Sequence, residues 1–155
     1  AGKFRFLGIS IHNHVDRAIR FLETGEVDVL LTVINFADRY TYNFEEKILP
    51  LARKHNVGIV AMKVFGGANK SKGSYRNPDC PSEMDADHLQ LAVDYALGVP
   101  GVATLNLGVH NIDQVRENVK KVKQFGELSP EDKRQLEDLG KKYAAEWGTH
   151  FGPVA

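Results

Sequence analysis

Four short apolar segments alternate with helical patterns along the 155-residue chain, and this alternation constrains the fold more than any other feature. The segment Val27–Ile34 is a nearly continuous run of Val, Leu and Ile, as expected of a strand covered on both faces. Further strands are predicted over Phe4–Ile11, Val57–Phe65 and Val102–Leu107. Because each strand precedes a helical pattern, the chain is predicted to form an α/β fold with a parallel sheet and outer helices.

The segments between the strands carry recognisable helix starts. Short polar residues precede the apolar helical patterns, and they predict N-caps at Asn43, Asp85, Asn111 and Ser129. Pro50 lies within the helix that follows Asn43. Because proline lacks an N–H and clashes with the preceding turn, we expect this helix to begin late or to kink.

The stretch Gly98–Asn118 combines a helix stop, a predicted buried strand, a glycine turn and a new helix. Its apolar positions fall on one helical face: Ile112, Val115, Val119 and Val122. A glycine turn before a helix N-terminus leaves backbone N–H groups free to bind phosphate, although an ordinary βα turn has the same pattern. Loops after parallel strands form the binding site in such folds. Those loops are Ser10–His14, Asn35–Asp38, Lys63–Lys72 and Gly108–Asn111.

Composition excludes several classes of protein. Twenty basic and twenty acidic residues cancel, which disfavours bulk binding to nucleic acid or to a membrane surface. Cys80 is the only cysteine, so no intrachain disulfide forms and a cytoplasmic location is expected. No apolar run approaches the ~20 residues of a membrane-spanning helix.

His12 and His14 have no further ligand at a suitable spacing, and we predict no metal site. The length predicts a single domain over residues 1–155.

The strands resemble those of the aldo-keto reductases in order and spacing. Gly2–Ser10 is similar to the family's strand five, Val27–Asn35 to strand six, Gly58–Lys63 to strand seven, and Leu107–Asn118 to strand eight with its helix. The resemblance covers about residues 2–140 and implies half of a TIM-type (βα)8 barrel, with four parallel βα units and a C-terminal helix.

This resemblance also implies a function. The matching half of the family's barrel binds NADP or NAD, and the whole enzyme transfers a hydride between the nicotinamide and a small carbonyl substrate. The residues that match its cofactor contacts are Ser10 and Asn35 near the carboxamide, Met62 and Lys63 beside the ring and pyrophosphate, and Gly108, Val109, Gln114 and Asn118 at the adenosine end. Gln114 stands where members that prefer NADP often have an arginine, which leaves the choice between NADP and NAD open.

The family's catalytic Tyr, Lys, Asp and His lie on the other half of the barrel, so the resemblance assigns no catalytic residue here. We therefore expect an oxidoreductase half that is inactive or impaired without its N-terminal half. The alternative is a non-enzymatic half-barrel module. Open sheet edges at Phe4–Ile11 and Val102–Leu107 would let it form a homodimer or pair with a separate chain. The long Gly66–Met84 loop is expected either to fold over a cofactor or to be disordered.

Overall fold

The computed structural model describes residues 2–154 and confirms the α/β architecture. The strands are β1 (Gly8–Ile11), β2 (Val29–Val33), β3 (Gly58–Met62) and β4 (Val102–Asn106). They form a parallel sheet in the order β1-β2-β3-β4, so neighbours in sequence are neighbours in space. Because all three pairings are parallel, the carboxyl ends of the strands lie at the same edge of the sheet.

Helices follow each strand, as the alternating pattern predicted. Their bounds are α1 (Val15–Glu23), α2 (Phe44–Lys47), α3 (Leu49–Lys54), α4 (Leu89–Gly98), α5 (Ile112–Lys123) and α6 (Pro130–Trp147), with 3₁₀ turns at Asp38–Tyr40 and Ala86–His88. The chain breaks between α2 and α3 at Ile48, two residues before Pro50. The expected effect of Pro50 is therefore confirmed as a division of the helix into two.

The hydrophobic core lies between the central strands and the helices. Leu30 of β2 and Ile59 of β3 are fully buried, as are Ala92 and Ala96 of α4. The apolar side chains on the face of these strands that packs against the helices are removed from water, and their burial provides the main stabilisation of the sheet. The central strands are thus held in place by packing, and they fix the starting points of the loops at their carboxyl ends.

The outer strands differ from their predictions. β1 begins at Gly8 because its partner β2 begins at Val29, and the preceding Phe4 and Phe6 are exposed. The prediction that Val102–Leu107 is a buried strand is wrong, since Ala103 and other β4 residues are exposed. The prediction of open edges is confirmed within residues 2–154, where no further strand pairs with β1 or β4.

Local helix-start signals were correct at two of the predicted caps. The Asn111 side chain accepts a hydrogen bond from the Gln114 N–H at 2.9 Å at the start of α5. Ser129 and Asp132 form a reciprocal capping box at the start of α6. Each of these caps satisfies backbone donors that helix geometry leaves unpaired.

The side-chain caps predicted at Asn43 and Asp85 are wrong. Asn43 has a left-handed backbone and donates its amide to Glu46 at 2.9 Å. Asp85 precedes a 3₁₀ turn, and its carboxylate accepts a hydrogen bond from the Tyr143 hydroxyl at 2.8 Å. The Asp85 carboxylate therefore pairs with a tertiary partner, Tyr143, and makes no side-chain cap to its own helix.

Helix α6 packs closely against the 3₁₀ turn that follows β2, and Gly140 makes this approach possible. A Cβ atom at Gly140 would lie 2.4 Å from the carbonyl oxygen of Phe36 and 2.7 Å from the Tyr40 ring. No side chain fits at these distances without displacing the helix.

We predict that Gly140→Ala lowers the free energy of unfolding by about 1–3 kcal/mol, because the methyl group overpacks the contact with Phe36. Gly98→Ala is the matched control, since Gly98 is also helical and has open space around its Cβ position. The control should be neutral or stabilising, as expected of alanine in a helix. Urea unfolding measures both variants, and an equal effect of the two substitutions would contradict the packing role of Gly140.

Candidate functional site

A cleft of about 910 Å³ lies among the loops at the carboxyl ends of the strands. Six of the eight predicted cofactor residues line it: Ser10, Met62, Lys63, Gly108, Gln114 and Asn118. They come from β1, the end of β3 and the β4–α5 unit, and the parallel strand order brings them together. Asn35 and Val109 are not among the residues that line this cleft.

Asn35 is 1% exposed and uses its amide within the protein. Its Nδ2 donates to Asp38 Oδ2 at 2.6 Å and to the Lys63 carbonyl at 3.0 Å. Its Oδ1 accepts from the backbone N–H groups of Ala37 and Asp38 at 3.0 and 2.7 Å. These four bonds use the two donors and both acceptor positions of the amide. In this structure, therefore, Asn35 fixes the loops around the cleft.

Lys63 follows β3 directly and has a left-handed backbone conformation, with φ at 57°. Its carbonyl accepts hydrogen bonds from Asn35 and from the Gly66 N–H at 2.8 Å, which hold this uncommon conformation. The ammonium donates to the Tyr75 hydroxyl and lies 5.6 Å from the Phe151 ring centroid. The charge is thus held at the rim of the cleft between two aromatic side chains.

The turn at the start of α5 was predicted to bind phosphate through free backbone N–H groups, but side chains of the chain itself already accept from two of these groups. Asn111 accepts from the Gln114 N–H, and Gln114 Oε1 accepts from the His110 N–H at 2.6 Å. A phosphate at this turn would use the neighbouring N–H groups or displace these side chains. Asp113 and Glu117 also line this end of the cleft.

His12 lies in the loop after β1 and lines the cleft beside Lys63. Burial of its ring lowers the pKa of His12 below its usual value, and the positive charge of Lys63 lowers this pKa further. The ring also packs edge-on against Phe151, with centroids 5.9 Å apart. The imidazole therefore remains neutral to a lower pH than a free histidine.

The sequence analysis did not predict the part that His150 plays near the cleft. His150 Nε2 lies 2.9 Å from Asp38 Oδ1, and both side chains are buried, at 8% and 2% exposure. The next residue, Phe151, donates its N–H to the Tyr42 hydroxyl at 3.0 Å. An aromatic and histidine-containing segment, His150–Phe151, was the signal available, but its partners lie more than a hundred positions away.

The rim of the cleft is also attached to α6 through Tyr143. Its hydroxyl donates to Asp85 Oδ2 at 2.8 Å and lies 2.7 Å from His88 Nδ1. Burial and the hydrogen bond to Asp85 raise the pKa of Tyr143 to about 12. The hydroxyl therefore keeps its proton at neutral pH and fixes the end of the Gly66–Met84 loop.

Within residues 2–154, no group of three or more His, Cys, Asp or Glu side chains comes together as a metal site would require. None of the helices in the same range is long and apolar enough to cross a membrane. The cleft is lined by amide, hydroxyl, ammonium and carboxylate groups together with apolar side chains, and such a lining suits an organic ligand with polar groups.

The fold consists of four parallel βα units, as in half of a (βα)8 barrel, and the cleft lies at the carboxyl ends of the strands, where barrels of this class carry their sites. The aldo/keto reductase family model matches residues 1–141, and the chain belongs to this family. No curated protein matches the chain in sequence.

Solved aldo-keto reductases share the fold. An aldo-keto reductase from Bacillus halodurans matches in its holo form with a TM-score of 0.62, 22% identity, and coverage of 89% of this chain and 51% of that chain. Its apo form matches with the same TM-score, identity and coverage of this chain, and 52% of its own chain is covered. The glycerol dehydrogenase from Gluconobacter oxydans gives a TM-score of 0.57 at 22% identity, covering 99% of this chain and 52% of that one. The chain therefore spans about half the length of these structures.

Proposed function

We propose that residues 1–155 form the cofactor-binding half of an NAD(P)H-dependent oxidoreductase that acts on a small carbonyl compound. The observation that carries this proposal is the convergence of six predicted cofactor residues on the cleft at the strand ends. Family membership supports the reaction class, because a matching family model covers residues 1–141.

The cleft fits a nicotinamide dinucleotide in size and chemistry. Its volume of about 910 Å³ lies within the range of about 300–1,000 Å³ typical of ligand sites. Met62 contributes an apolar side chain to the lining, Lys63 an ammonium group, and Gln114 and Asn118 amide groups. When bound, this cofactor supplies the hydride for a carbonyl carbon.

Each of the six predicted residues that line the cleft has a role in this proposal, and so does Asn35 behind them. Met62 packs against the nicotinamide ring, and the Ser10 hydroxyl hydrogen-bonds its carboxamide. The Lys63 ammonium neutralises pyrophosphate charge, and Asn35 holds the backbone of Lys63 in place. Gly108, Gln114 and Asn118 bind the adenosine end.

The neutral Gln114 side chain gives no charged partner to a 2′-phosphate, and it already accepts from the His110 N–H. Asp113 and Glu117 add negative charge at this end of the cleft. Titration with both NADPH and NADH therefore distinguishes the two cofactors. Because the resemblance places the acid–base residues on the other half of the barrel, turnover in this proposal requires that half.

We predict that the 155-residue chain binds NADPH or NADH in calorimetric titrations and that Lys63→Gln weakens this binding about fivefold, since the pyrophosphate loses a charged partner. Lys133→Gln is the control, because Lys133 is exposed on α6 outside the cleft. Added aldehyde should give no rapid turnover. Rapid turnover by the chain alone, or failure to bind either cofactor, would contradict the proposal.

A second candidate function is a half-barrel module that pairs with another half barrel. The apolar face of α5 is exposed, with Ile112 at 61% and Val119 at 47%. Phe4 and Phe6 are exposed at 73% and 68% beside the opposite sheet edge. Apolar surfaces of this kind next to open edges favour association, either as a homodimer or with a separate N-terminal half.

We predict that light scattering finds the purified chain as a dimer and that Val119→Glu makes it a monomer, because the charge lies on the apolar face of α5. Lys120→Glu is the control on the same helix, because Lys120 is exposed and lies outside that face. A wild-type chain that stays monomeric at every concentration would exclude self-association. A monomer that also binds no cofactor would contradict both functions.

A further inference from the structure

His12 follows β1 directly, and its side chain lines the cleft together with Ser10, Met62 and Lys63. In the proposed function Ser10 hydrogen-bonds the nicotinamide carboxamide and Met62 packs against the nicotinamide ring. His12 therefore lies at the nicotinamide end of the cleft in that proposal. None of the contacts assigned so far uses its imidazole.

The imidazole is held in position by its packing against Phe151. The two ring centroids are 5.9 Å apart, and the rings meet edge-on at 62°. Phe151 in turn stacks on Tyr42, with centroids 6.1 Å apart, and donates its N–H to the Tyr42 hydroxyl at 3.0 Å. Because the Tyr42 side chain is fully buried, this chain of contacts fixes the place of His12 at the cleft.

The charge beside His12 is positive. Lys63 is the one charged side chain, among the described residues, that contributes to the lowered pKa of His12, and it does so after burial of the ring. No carboxylate in the described part of the chain pairs with the ring, unlike His150, which lies 2.9 Å from Asp38 Oδ1. The acidic residues that line the cleft also make no contribution to this pKa: Glu83, Asp85, Asp113 and Glu117.

A nicotinamide cofactor differs in charge between its two oxidation states. The oxidised ring carries a positive charge, whereas the reduced ring is neutral. A neutral imidazole can lie beside either ring, but a protonated one repels the oxidised ring. For two unit charges about 6 Å apart in a solvent-exposed cleft, this repulsion corresponds to about a fivefold change in affinity.

His110 is the other histidine among the described residues that line the cleft. Its N–H donates to Gln114 Oε1 at 2.6 Å, which places it at the end assigned to adenosine. The adenosine part is the same in both oxidation states. Protonation of His110 therefore affects the two forms alike, and its effect cancels in the ratio of their affinities.

We propose that His12 sets the preference of the cleft between the oxidised and the reduced cofactor and makes this preference depend on pH. The inference rests on the proposed function, because it requires a nicotinamide in the cleft. As the pH falls and the imidazole gains a proton, the oxidised form binds more weakly relative to the reduced form. Since burial and Lys63 lower the pKa of His12, this change occurs below the pH at which a free histidine titrates.

Thermodynamic linkage gives a reciprocal effect on the histidine itself. If protonation of His12 weakens binding of the oxidised form, the bound oxidised form must lower the pKa of His12 by the same free energy. The reduced form has no charge on its ring and should leave this pKa higher. A purely structural role of His12 would not produce such a difference between the two complexes.

The test is calorimetric titration of the 155-residue chain with NAD⁺ and with NADH, or with the NADP pair if that binds more tightly. Between about pH 8 and about pH 5, the ratio of the Kd of the oxidised form to that of the reduced form should rise about fivefold. His12→Gln, which is neutral at both pH values, should abolish the rise. His14→Gln is the matched control, because His14 precedes α1 and does not line the cleft.

NMR titration of the His12 ring signals in the two complexes gives the second readout, and its pKa should be lower with the oxidised form bound. A ratio that stays constant with pH, an equal rise in His12→Gln, or the same His12 pKa in both complexes would overturn the inference while leaving cofactor binding intact. Failure of the chain to bind either form at about pH 8 would instead contradict the proposed function, and this inference with it.

Discussion

The buried amide of Asn35 connects the loops after β2 and β3, and the cleft at the strand ends depends on these loops. It joins the end of β2 to the Lys63 carbonyl and to Asp38, using its whole hydrogen-bonding capacity. Through Asp38 the same network reaches His150, the residue before Phe151 in the C-terminal segment. Because an unpaired buried amide or carboxylate is costly, these loops are held together as a unit.

The consequence of this network is a fixed backbone at Lys63. This residue is held in a left-handed conformation, and its side chain lines the cleft at the strand ends. In the proposed function its ammonium neutralises part of the charge of the cofactor pyrophosphate. The network thus positions one of the groups on which cofactor binding depends.

Much of the fold could be predicted because its signals are local. Apolar runs, helical spacing and the caps at Asn111 and Ser129 each depend on residues a few positions apart. The exposure of β4 could not be predicted, because the apolar pattern of a strand does not tell whether another element covers it. The cap at Asp85 failed for a related reason, because Tyr143 lies 58 positions away in sequence.

The candidate site was predictable to the extent that parallel strands fix it. Ser10, Met62 and Gly108 lie at or near strand ends, and the sheet brings them to one cleft. The bonds of Asn35 and the pairing of Asp38 with His150 are long-range contacts with no local pattern. Family resemblance identified the first group and gave no indication of the second.

The central claim is that the cleft at the strand ends holds a nicotinamide cofactor. The most direct test is to titrate the isotope-labelled chain with NADPH and NADH and to map the backbone amide shifts. The account predicts shifts at Ser10, Lys63, Gly108 and Gln114, with Arg53 and Lys133 unaffected because they lie outside the cleft. Shifts confined to α6 or to the outer surface of the sheet, or no shifts with either cofactor, would contradict it.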